Sequence, residues 1–138
     1  MQPVKNGILL IDKPAGITSA KAVAVVKQLT GSKKTGHAGT LDPMATGLLI
    51  CCLNQATKLA RFLLEGEKTY LAVLYLGVKT DSQDATGRIL SRQDTSYITE
   101  SEVKKTIDAF TGMIQQQPPA YSAVKYRGKP LYLSLIHI

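Results

Sequence analysis

The sequence predicts a small domain that contains both α-helices and β-strands, because segments with helical spacing of apolar residues alternate with short apolar runs bounded by glycine or proline. At 138 residues, of which 44% are hydrophobic, the chain suits one domain with a substantial core. Lysine and arginine outnumber the acidic residues by 17 to 10, which favours binding to a polyanion such as nucleic acid. A similar charge also serves solubility in proteins that bind no polyanion.

The first part of the chain predicts a strand, a turn and a helix. Residues 7–12 form a short apolar run, which is typical of a buried strand, and residues 13–16 are typical of a turn. Thr18 or Ser19 can cap a helix over residues 20–29, and Gly31 is placed to end it. Its inner face is expected to carry four apolar residues: Ala22, Val25, Val26 and Leu29.

The middle of the chain predicts a basic loop, two strands and a helix. Residues 32–36 form a polar, cationic loop suited to binding phosphate, and residues 48–53 are typical of a buried strand. Residues 55–64 have helical spacing, with four apolar residues expected to face inward: Ala56, Leu59, Ala60 and Leu63. Residues 70–76 are the strongest strand candidate, and because both faces are apolar, both should be covered.

The next segment predicts a solvated loop, a strand and a helix. Residues 79–87 hold two aspartates but lack the spacing of a calcium-binding loop, and residues 88–92 predict a strand. Thr99 and Glu102 have the spacing of a capping box, which opens a helix. Three residues are expected on its inner face: Val103, Ile107 and Phe110.

The C-terminal part predicts an extended strand over residues 113–117 and a basic, aromatic hairpin or loop over residues 120–130, with a proline pair between them. Tyrosines beside lysine and arginine suit single-stranded RNA, because bases stack on the rings and phosphates contact the cations. An edge strand with ordinary surface charges explains the same residues equally well.

Adjacent Cys51 and Cys52 predict reduced core residues, because a disulfide between neighbours is strained and the C-x-x-C spacing of a metal site is absent. The sequence also shows no signal-peptide pattern and no apolar run of about 18 residues. We therefore expect a soluble, cytoplasmic protein.

Residues 37–49 combine one histidine, one carboxylate and two glycines. Pro43 biases the backbone of Asp42 toward extended geometry, while Gly39 and Gly47 allow conformations that residues with a Cβ resist. A carboxylate so placed, at the rim of a core and beside the basic loop, suits an anionic substrate. The plain alternative is a surface turn, because Asp-Pro pairs often open turns.

Four motifs lie at residues 12–19, 36–49, 68–70 and 121–125. In order and spacing they resemble the N-terminal half of the catalytic domain of the bacterial tRNA pseudouridine-55 synthases, the TruB family. The resemblance runs from about Asn6 to Tyr132, so the N-terminal part of that domain is expected over residues 1–132. Residues 133–138 depart from the family pattern, and we interpret them as an atypical tail.

The resemblance implies the α+β class and a pseudouridine synthase fold, with a mixed, mainly antiparallel sheet flanked by helices, truncated here to its first half. It implies an isomerase that converts uridine 55 of the tRNA T-loop to pseudouridine and needs no cofactor and no metal. The implied partner is the T-arm stem-loop of tRNA, which a monomer binds when the protein is full length.

By the same resemblance Asp42 is the catalytic aspartate, which acts either as a nucleophile toward the sugar or as a base. Tyr70 matches the tyrosine that stacks on the uracil, and His37 matches the histidine that occupies the T-loop position vacated by the flipped base. Lys13 and the proline after it match the first motif, where we expect them to brace or line the site. Two residues of the last motif are expected to help form the pocket floor: Tyr121 and Lys125.

The family chain is roughly twice as long, and its second half carries an arginine that pairs with the catalytic aspartate. We therefore expect the 138-residue chain alone to be poorly active. One alternative is a non-catalytic RNA-binding or RNA-folding fragment, which the basic loops and aromatic residues would support. A glycosidase is a weaker alternative, because the central stretch lacks a second suitably placed acid.

Overall fold

The computed structural model describes residues 6–115, 125–126 and 129–130. The chain forms two units, Met1–Tyr70 and Leu71–Ile138. Both contain antiparallel strand pairs, and helices accompany them, which confirms the α+β class. Every strand pair within the described residues is antiparallel, so the parallel component of the expected mixed sheet is not seen there.

The first unit is organised around a central strand. In chain order its elements are β1 (Gly7–Lys13), α1 (Ser19–Thr30), β2 (Thr35–His37), β3 (Gly47–Leu53), a 3₁₀-helix (Asn54–Leu59) and α2 (Ala60–Leu64). Strand β3 pairs with β1 on one side and with β2 on the other. The strands predicted at residues 7–12 and 48–53 are confirmed, whereas the helix predicted over residues 55–64 divides into a 3₁₀-helix and a short α-helix.

The core of the first unit lies between β3 and α1. Leu49, Cys51 and Leu53 alternate along β3, so their side chains share one face of the sheet. They form a buried cluster with Ala22 and Val26, which lie one turn apart on α1. This apolar contact fixes the helix against the sheet.

Helix α1 begins and ends where the sequence signals predict. Thr18 Oγ1 accepts a hydrogen bond from the Lys21 N–H at 3.1 Å, and Gly31 ends the helix with a φ of +61°. Val25 and Leu29, both expected on the inner face, are 42% and 71% exposed. That part of the prediction was wrong, because the sheet contacts a narrower stripe of the helix than the apolar pattern suggests.

Strand β1 is less buried than predicted. Ile8 and Leu10 are 43% and 67% exposed, although the sequence predicts a buried strand. Among the described strands β1 lies at the edge of its sheet, and these two residues pair with Cys52 and Ile50, on the face opposite the α1 cluster. Cys52 is buried on that same face because it lies on the central strand. The prediction was wrong because an apolar run indicates a strand but not its place in the sheet.

The second unit contains short strand pairs and one longer helix. Its elements are β4 (Val78–Thr80), β5 (Ile89–Arg92), α3 (Glu100–Ala109), β6 (Lys125–Tyr126) and β7 (Lys129–Pro130). The strand predicted at residues 88–92 is confirmed, as are the helix and its capping box between Thr99 and Glu102. The antiparallel pair of β6 and β7 agrees with the hairpin predicted over residues 120–130, of which the remaining residues lie outside the described part.

The loop between β4 and β5 is held by its own side chains. The Asp84 carboxylate accepts hydrogen bonds from Ser82 Oγ (2.7 Å), from Thr86 Oγ1 (2.7 Å) and from the Thr86 N–H (2.8 Å). These hydrogen bonds, that from Ser82 first, lower the pKa of Asp84. The loop predicted over residues 79–87 is therefore confirmed from residue 81 onward, whereas its first two residues belong to β4.

The strand predicted over residues 70–76 is not formed, and this prediction was wrong. Leu71 and Val73 are 101% and 97% exposed. A strand needs a neighbour that hydrogen-bonds to its backbone, and no described strand pairs with this segment. Apolar composition indicates that a segment can form a buried strand, but it does not supply the partner.

The inner face predicted for α3 is also exposed. Ile107 and Phe110 are 56% and 67% exposed, and Val103 is partly buried. Helical spacing identifies an apolar stripe, but an element must cover that stripe to bury it, and none in the described part does so. Residues 113–115 form no strand, and the rest of the strand predicted over residues 113–117 lies outside the described residues.

Leu49 and Leu48 offer a matched test of the core, because these neighbours in β3 are 1% and 61% exposed. Leu49→Ala should lower the free energy of unfolding by about 2–5 kcal/mol, since it leaves a cavity against α1. Leu48→Ala should change it by about 0.5 kcal/mol or less. Urea unfolding followed by circular dichroism measures both values, and equal losses would contradict the orientation of β3.

Cys51 and Cys52 are unpaired and 0% exposed, which confirms them as reduced core residues. Burial raises the pKa of both thiols, and the neighbouring Cys52 raises the pKa of Cys51 further. Because the thiolate is the reactive form, iodoacetamide at about pH 8 should alkylate neither residue until urea unfolds the protein. Mass spectrometry measures the modification, and rapid alkylation without urea would show that β3 is accessible.

Candidate active site around Asp42

Asp42 lies in the loop that joins β2 to β3. Its carbonyl oxygen accepts a hydrogen bond from the Ala45 N–H at 3.1 Å, which closes a turn with Pro43 at the second position. Gly39 and Gly47 have φ values of +115° and +110°, in the region that favours glycine. The loop therefore changes direction at residues whose backbone preferences match its shape.

Lys13 anchors the backbone on the C-terminal side of the aspartate. Its side chain is 0% exposed, and its Nζ donates to the carbonyl oxygens of Pro14 (2.9 Å), Ile17 (2.9 Å) and Pro43 (3.4 Å). An ammonium group has three N–H donors, so these carbonyls use all of them. The Gly16 N–H also donates to the Pro43 oxygen, at 2.8 Å. The turn after β1 is thus joined to the aspartate loop at one carbonyl group.

Ser19 anchors the backbone on the N-terminal side of the aspartate. Its Oγ accepts a hydrogen bond from the Leu41 N–H and donates one to the Leu41 carbonyl oxygen, each at 2.9 Å. Ser19 is 2% exposed, and the side chain of Leu41 packs against the core cluster. The residue before Asp42 is therefore held through both its backbone and its side chain.

Asp42 is exposed, although hydrogen bonds hold the backbone on both sides of it. No side chain among residues 6–115 donates a hydrogen bond to this carboxylate. The backbone therefore sets the point from which the side chain extends, and the carboxylate oxygens are left to accept hydrogen bonds from a ligand. A fixed backbone with an accessible functional group is the arrangement that a catalytic carboxylate requires.

His37 is the last residue of β2 and pairs with Cys51 of β3. It is partly buried, and its Nδ1 atom is fully buried without a hydrogen-bond partner in the described part of the chain. The sheet thus holds the imidazole at the start of the aspartate loop. Its expected contact with RNA stays a prediction.

The motif that ends at Tyr70 approaches the loop through Lys68. A Cβ placed on Gly39 would lie 3.8 Å from Lys68 Cε, so the lysine stem passes beside the loop. Lys68 Nζ donates to the carbonyl oxygens of Leu64 (2.6 Å) and Gly66 (2.8 Å) at the end of α2. Tyr70 is 67% exposed and takes no part in the hydrogen bonds that hold the aspartate loop.

Two predicted site residues belong to the C-terminal motif. Tyr121 lies outside the described residues, and Lys125 belongs to β6 in the second unit. Their expected roles in the pocket floor stay predictions. The structure brings Lys13 together with Pro43 through a hydrogen bond and with Gly47 through the pairing of β1 and β3.

The basic loop before β2 has a fixed backbone. The Lys34 N–H donates to Asn54 Oδ1 at 3.1 Å, and the Asn54 N–H donates to the Lys34 carbonyl oxygen at 2.7 Å. The buried Ser32 hydroxyl lies 2.6 Å from the hydroxyl of Thr35. Lys33 and Lys34 are both exposed, so an ordered loop presents two cations to solvent.

The sequence pattern did not reveal that Gly16 and Ser19 act on the Asp42 loop. It identifies Ser19 as a candidate helix cap and Gly16 as part of a turn. Thr18 forms the cap in the structure, which leaves the Ser19 hydroxyl for another partner. A signal for the role of Ser19 was present in the sequence: two adjacent hydroxyl residues lie at the start of the helix, and the N-cap uses only one of them. The other hydroxyl is then free to contact another part of the chain.

The described residues contain no group of three His, Cys, Asp or Glu side chains placed to hold a metal ion. The helices of this part of the chain are also too short or too polar to cross a bilayer. The expectation that the protein needs no metal and no cofactor stays a prediction.

Lys13→Met should lower the free energy of unfolding by about 1–3 kcal/mol, because it removes a buried ammonium group that donates to three backbone carbonyl groups, while keeping a side chain of similar length. Lys21→Met is the matched control at an exposed position of α1 and should change the value by about 0.5 kcal/mol or less. Urea unfolding measures both variants. Equal effects would show that the ammonium group does not hold the two turns together.

Two curated proteins match most of this chain. The tRNA pseudouridine synthase B of Syntrophus aciditrophicus (strain SB) is 50% identical over 127 residues, which are 92% of this chain and 40% of that protein. The protein of the same name from Desulfotalea psychrophila (strain LSv54 / DSM 12343) is 49% identical over 132 residues, which are 95% of this chain and 54% of that protein. The chain thus spans about half the length of the curated relatives it matches.

A solved structure and a family model agree with these relatives. The crystal structure of a Cbf5–Nop10–Gar1 complex contains a similar chain, with a TM-score of 0.58 and 29% identity, covering 88% of this chain and 31% of that chain. The model of the TruB family pseudouridylate synthase N-terminal domain matches residues 27–135. The chain therefore belongs to the TruB family of pseudouridylate synthases.

Proposed function

We propose that this chain forms the N-terminal part of the catalytic domain of a tRNA pseudouridine synthase, with Asp42 as the catalytic aspartate. The substrate is uridine 55 in the T-loop of tRNA. Family membership supports this proposal, as do relatives of 49–50% identity that are tRNA pseudouridine synthases.

The observation that carries the proposal is an exposed carboxylate on a fixed backbone. Catalytic groups need to be held within about 0.5 Å of their productive geometry. Hydrogen bonds from Ser19 to Leu41, and from Lys13 and Gly16 to Pro43, hold the backbone on both sides of the aspartate. The carboxylate itself remains open to a substrate.

The reaction breaks the bond between N1 of the uracil and C1′ of the ribose and forms a bond between C5 and C1′. A proton leaves C5 and N1 gains one, so the reaction is an isomerisation. Cleavage places positive character on the ribose and negative charge on the uracil, and a carboxylate near C1′ stabilises the positive part. Asp42 acts either by attacking the sugar or by removing a sugar proton, and neither route requires a metal or a cofactor.

The RNA is bound by groups that surround the aspartate in sequence. Lys33 and Lys34 present two exposed cations to the phosphates. His37 occupies the T-loop position that the flipped base leaves, and the exposed ring of Tyr70 stacks on the uracil. Two further residues contribute to the pocket floor: Tyr121 and Lys125.

The partner in this proposal is the T-arm stem-loop of tRNA, and the full-length protein acts as a monomer. The proposed location is the cytoplasm. Two adjacent free thiols, Cys51 and Cys52, support a reducing compartment.

The test is the conversion of uridine 55 in a T-arm stem-loop RNA by the full-length protein and its Asp42→Asn variant. Loss of the carboxylate should lower the rate by at least about 10²-fold, the lower end of the range for a group that transfers protons. Asp108→Asn, which changes an exposed carboxylate on α3, should leave the rate unchanged. Nucleoside chromatography with mass spectrometry quantifies pseudouridine, and an unchanged rate for Asp42→Asn would exclude Asp42 as the catalytic aspartate.

A non-catalytic RNA-binding role gives a different outcome in the same assay. The wild-type protein would then bind the stem-loop with a strong salt dependence but form no pseudouridine, even when the protein is in excess. A stem-loop with cytidine at position 55 is the substrate control. Equal pseudouridine formation in that RNA would have to come from another uridine and would contradict the proposed specificity for position 55.

A further inference from the structure

We infer that Ser19 is a positioning residue that sets the orientation of Asp42. This inference rests on the proposed function, in which Asp42 is the catalytic aspartate. Ser19 is the first residue of α1 and is 2% exposed. Its single hydroxyl group accepts a hydrogen bond from the N–H of Leu41 and donates one to the carbonyl oxygen of the same residue, each at 2.9 Å.

The hydroxyl of Ser19 forms its hydrogen bonds with the loop that carries Asp42 and does not cap its own helix. A residue at the start of a helix commonly uses a side-chain oxygen to accept one of the unpaired backbone N–H groups. In α1, Thr18 already does so through its bond with the Lys21 N–H. Ser19 instead reaches a backbone group 22 positions further along the chain.

Two hydrogen bonds to one residue restrain the rotation of both peptide groups that flank it. For Leu41, one of these peptide groups leads directly into Asp42. The backbone of Asp42 is therefore restrained by Ser19 before it and by the Pro43 contacts after it. These restraints set the direction of the Cα–Cβ bond of Asp42, and the position of the carboxylate depends on that direction.

Removing the hydroxyl leaves the Leu41 N–H and carbonyl groups without this partner. The peptide before Asp42 then gains freedom to rotate, and the carboxylate moves relative to the reacting sugar carbon. A displacement of about 1 Å at a reacting group can cost about 10²-fold in rate. Binding of the RNA should change little, since the phosphate-binding cations lie on the other side of β2 in sequence, in the loop at Lys33 and Lys34.

The experiment compares four versions of the full-length protein with a T-arm stem-loop RNA: wild type, Ser19→Ala, Ser19→Thr and Thr18→Ala. Ser19→Ala should lower kcat by about 10- to 100-fold while the Kd for the RNA stays within about twofold. Ser19→Thr keeps the hydroxyl and should recover most of kcat. Thr18→Ala removes the helix cap and should lower the midpoint of urea unfolding without lowering kcat.

This comparison separates positioning from stability, because Thr18 and Ser19 are neighbours in the same helix start. A kcat for Ser19→Ala within twofold of wild type would overturn the inference. Equal losses of kcat in Ser19→Ala and Thr18→Ala would also overturn it, since loss of the helix start would then explain both. If Ser19→Ala does not fold, Ser19→Cys provides the test. Its thiol is similar in size to the hydroxyl group of serine but is a weak hydrogen-bonding group. Its kcat should fall at least tenfold, and an unchanged kcat would overturn the inference.

The Asp42→Asn variant distinguishes a failure of this inference from a failure of the proposed function. If Asp42→Asn retains the wild-type rate, the proposed role of Asp42 is wrong, and the inference about Ser19 is then wrong as well. If Asp42→Asn is inactive while Ser19→Ala is as active as wild type, the inference about Ser19 alone is wrong.

Discussion

The position of Asp42 depends on hydrogen bonds that hold the backbone on both sides of it from outside its own loop. The partners in these bonds lie at the end of β1, in the turn after β1 and at the start of α1. The ammonium group of Lys13 is central to this arrangement, since it is fully buried and joins three carbonyl groups from two turns. Without the ammonium group, the hydrogen bond from the Gly16 N–H would be the one that joins the Pro43 carbonyl to the turn after β1.

The same arrangement separates the parts of the site that are fixed from those that are open. Buried polar contacts hold the backbone, whereas the Asp42 carboxylate and the two lysines of the basic loop are exposed. Preorganised backbone lets a substrate meet a functional group without first ordering it, which lowers the entropic cost of the reaction. The central strand β3 supports this division, because its buried face packs on α1 while its pairing with β2 holds His37 at the start of the loop.

Features that depend on neighbouring residues were well predicted from the sequence. The ends of α1 follow from Thr18 and Gly31, and the capping box at Thr99 opens α3, because the hydrogen bonds involved join residues three or four positions apart. Residues 70–76 show the limit of this reasoning. Their composition favours a strand, but pairing and burial require another element, and none in the described part supplies it.

The sequence by itself determined the type of most elements, the reduced cysteines of β3 and the turn at Asp42 with its proline and flanking glycines. Tertiary structure decided which apolar residues are buried, and it decided what holds the aspartate. Ser19 and Lys13 contact the loop across 22 and 30 positions of the chain, respectively. Contacts at that separation leave no periodic or local pattern, because they arise only when β1 pairs with β3 and α1 packs against the sheet.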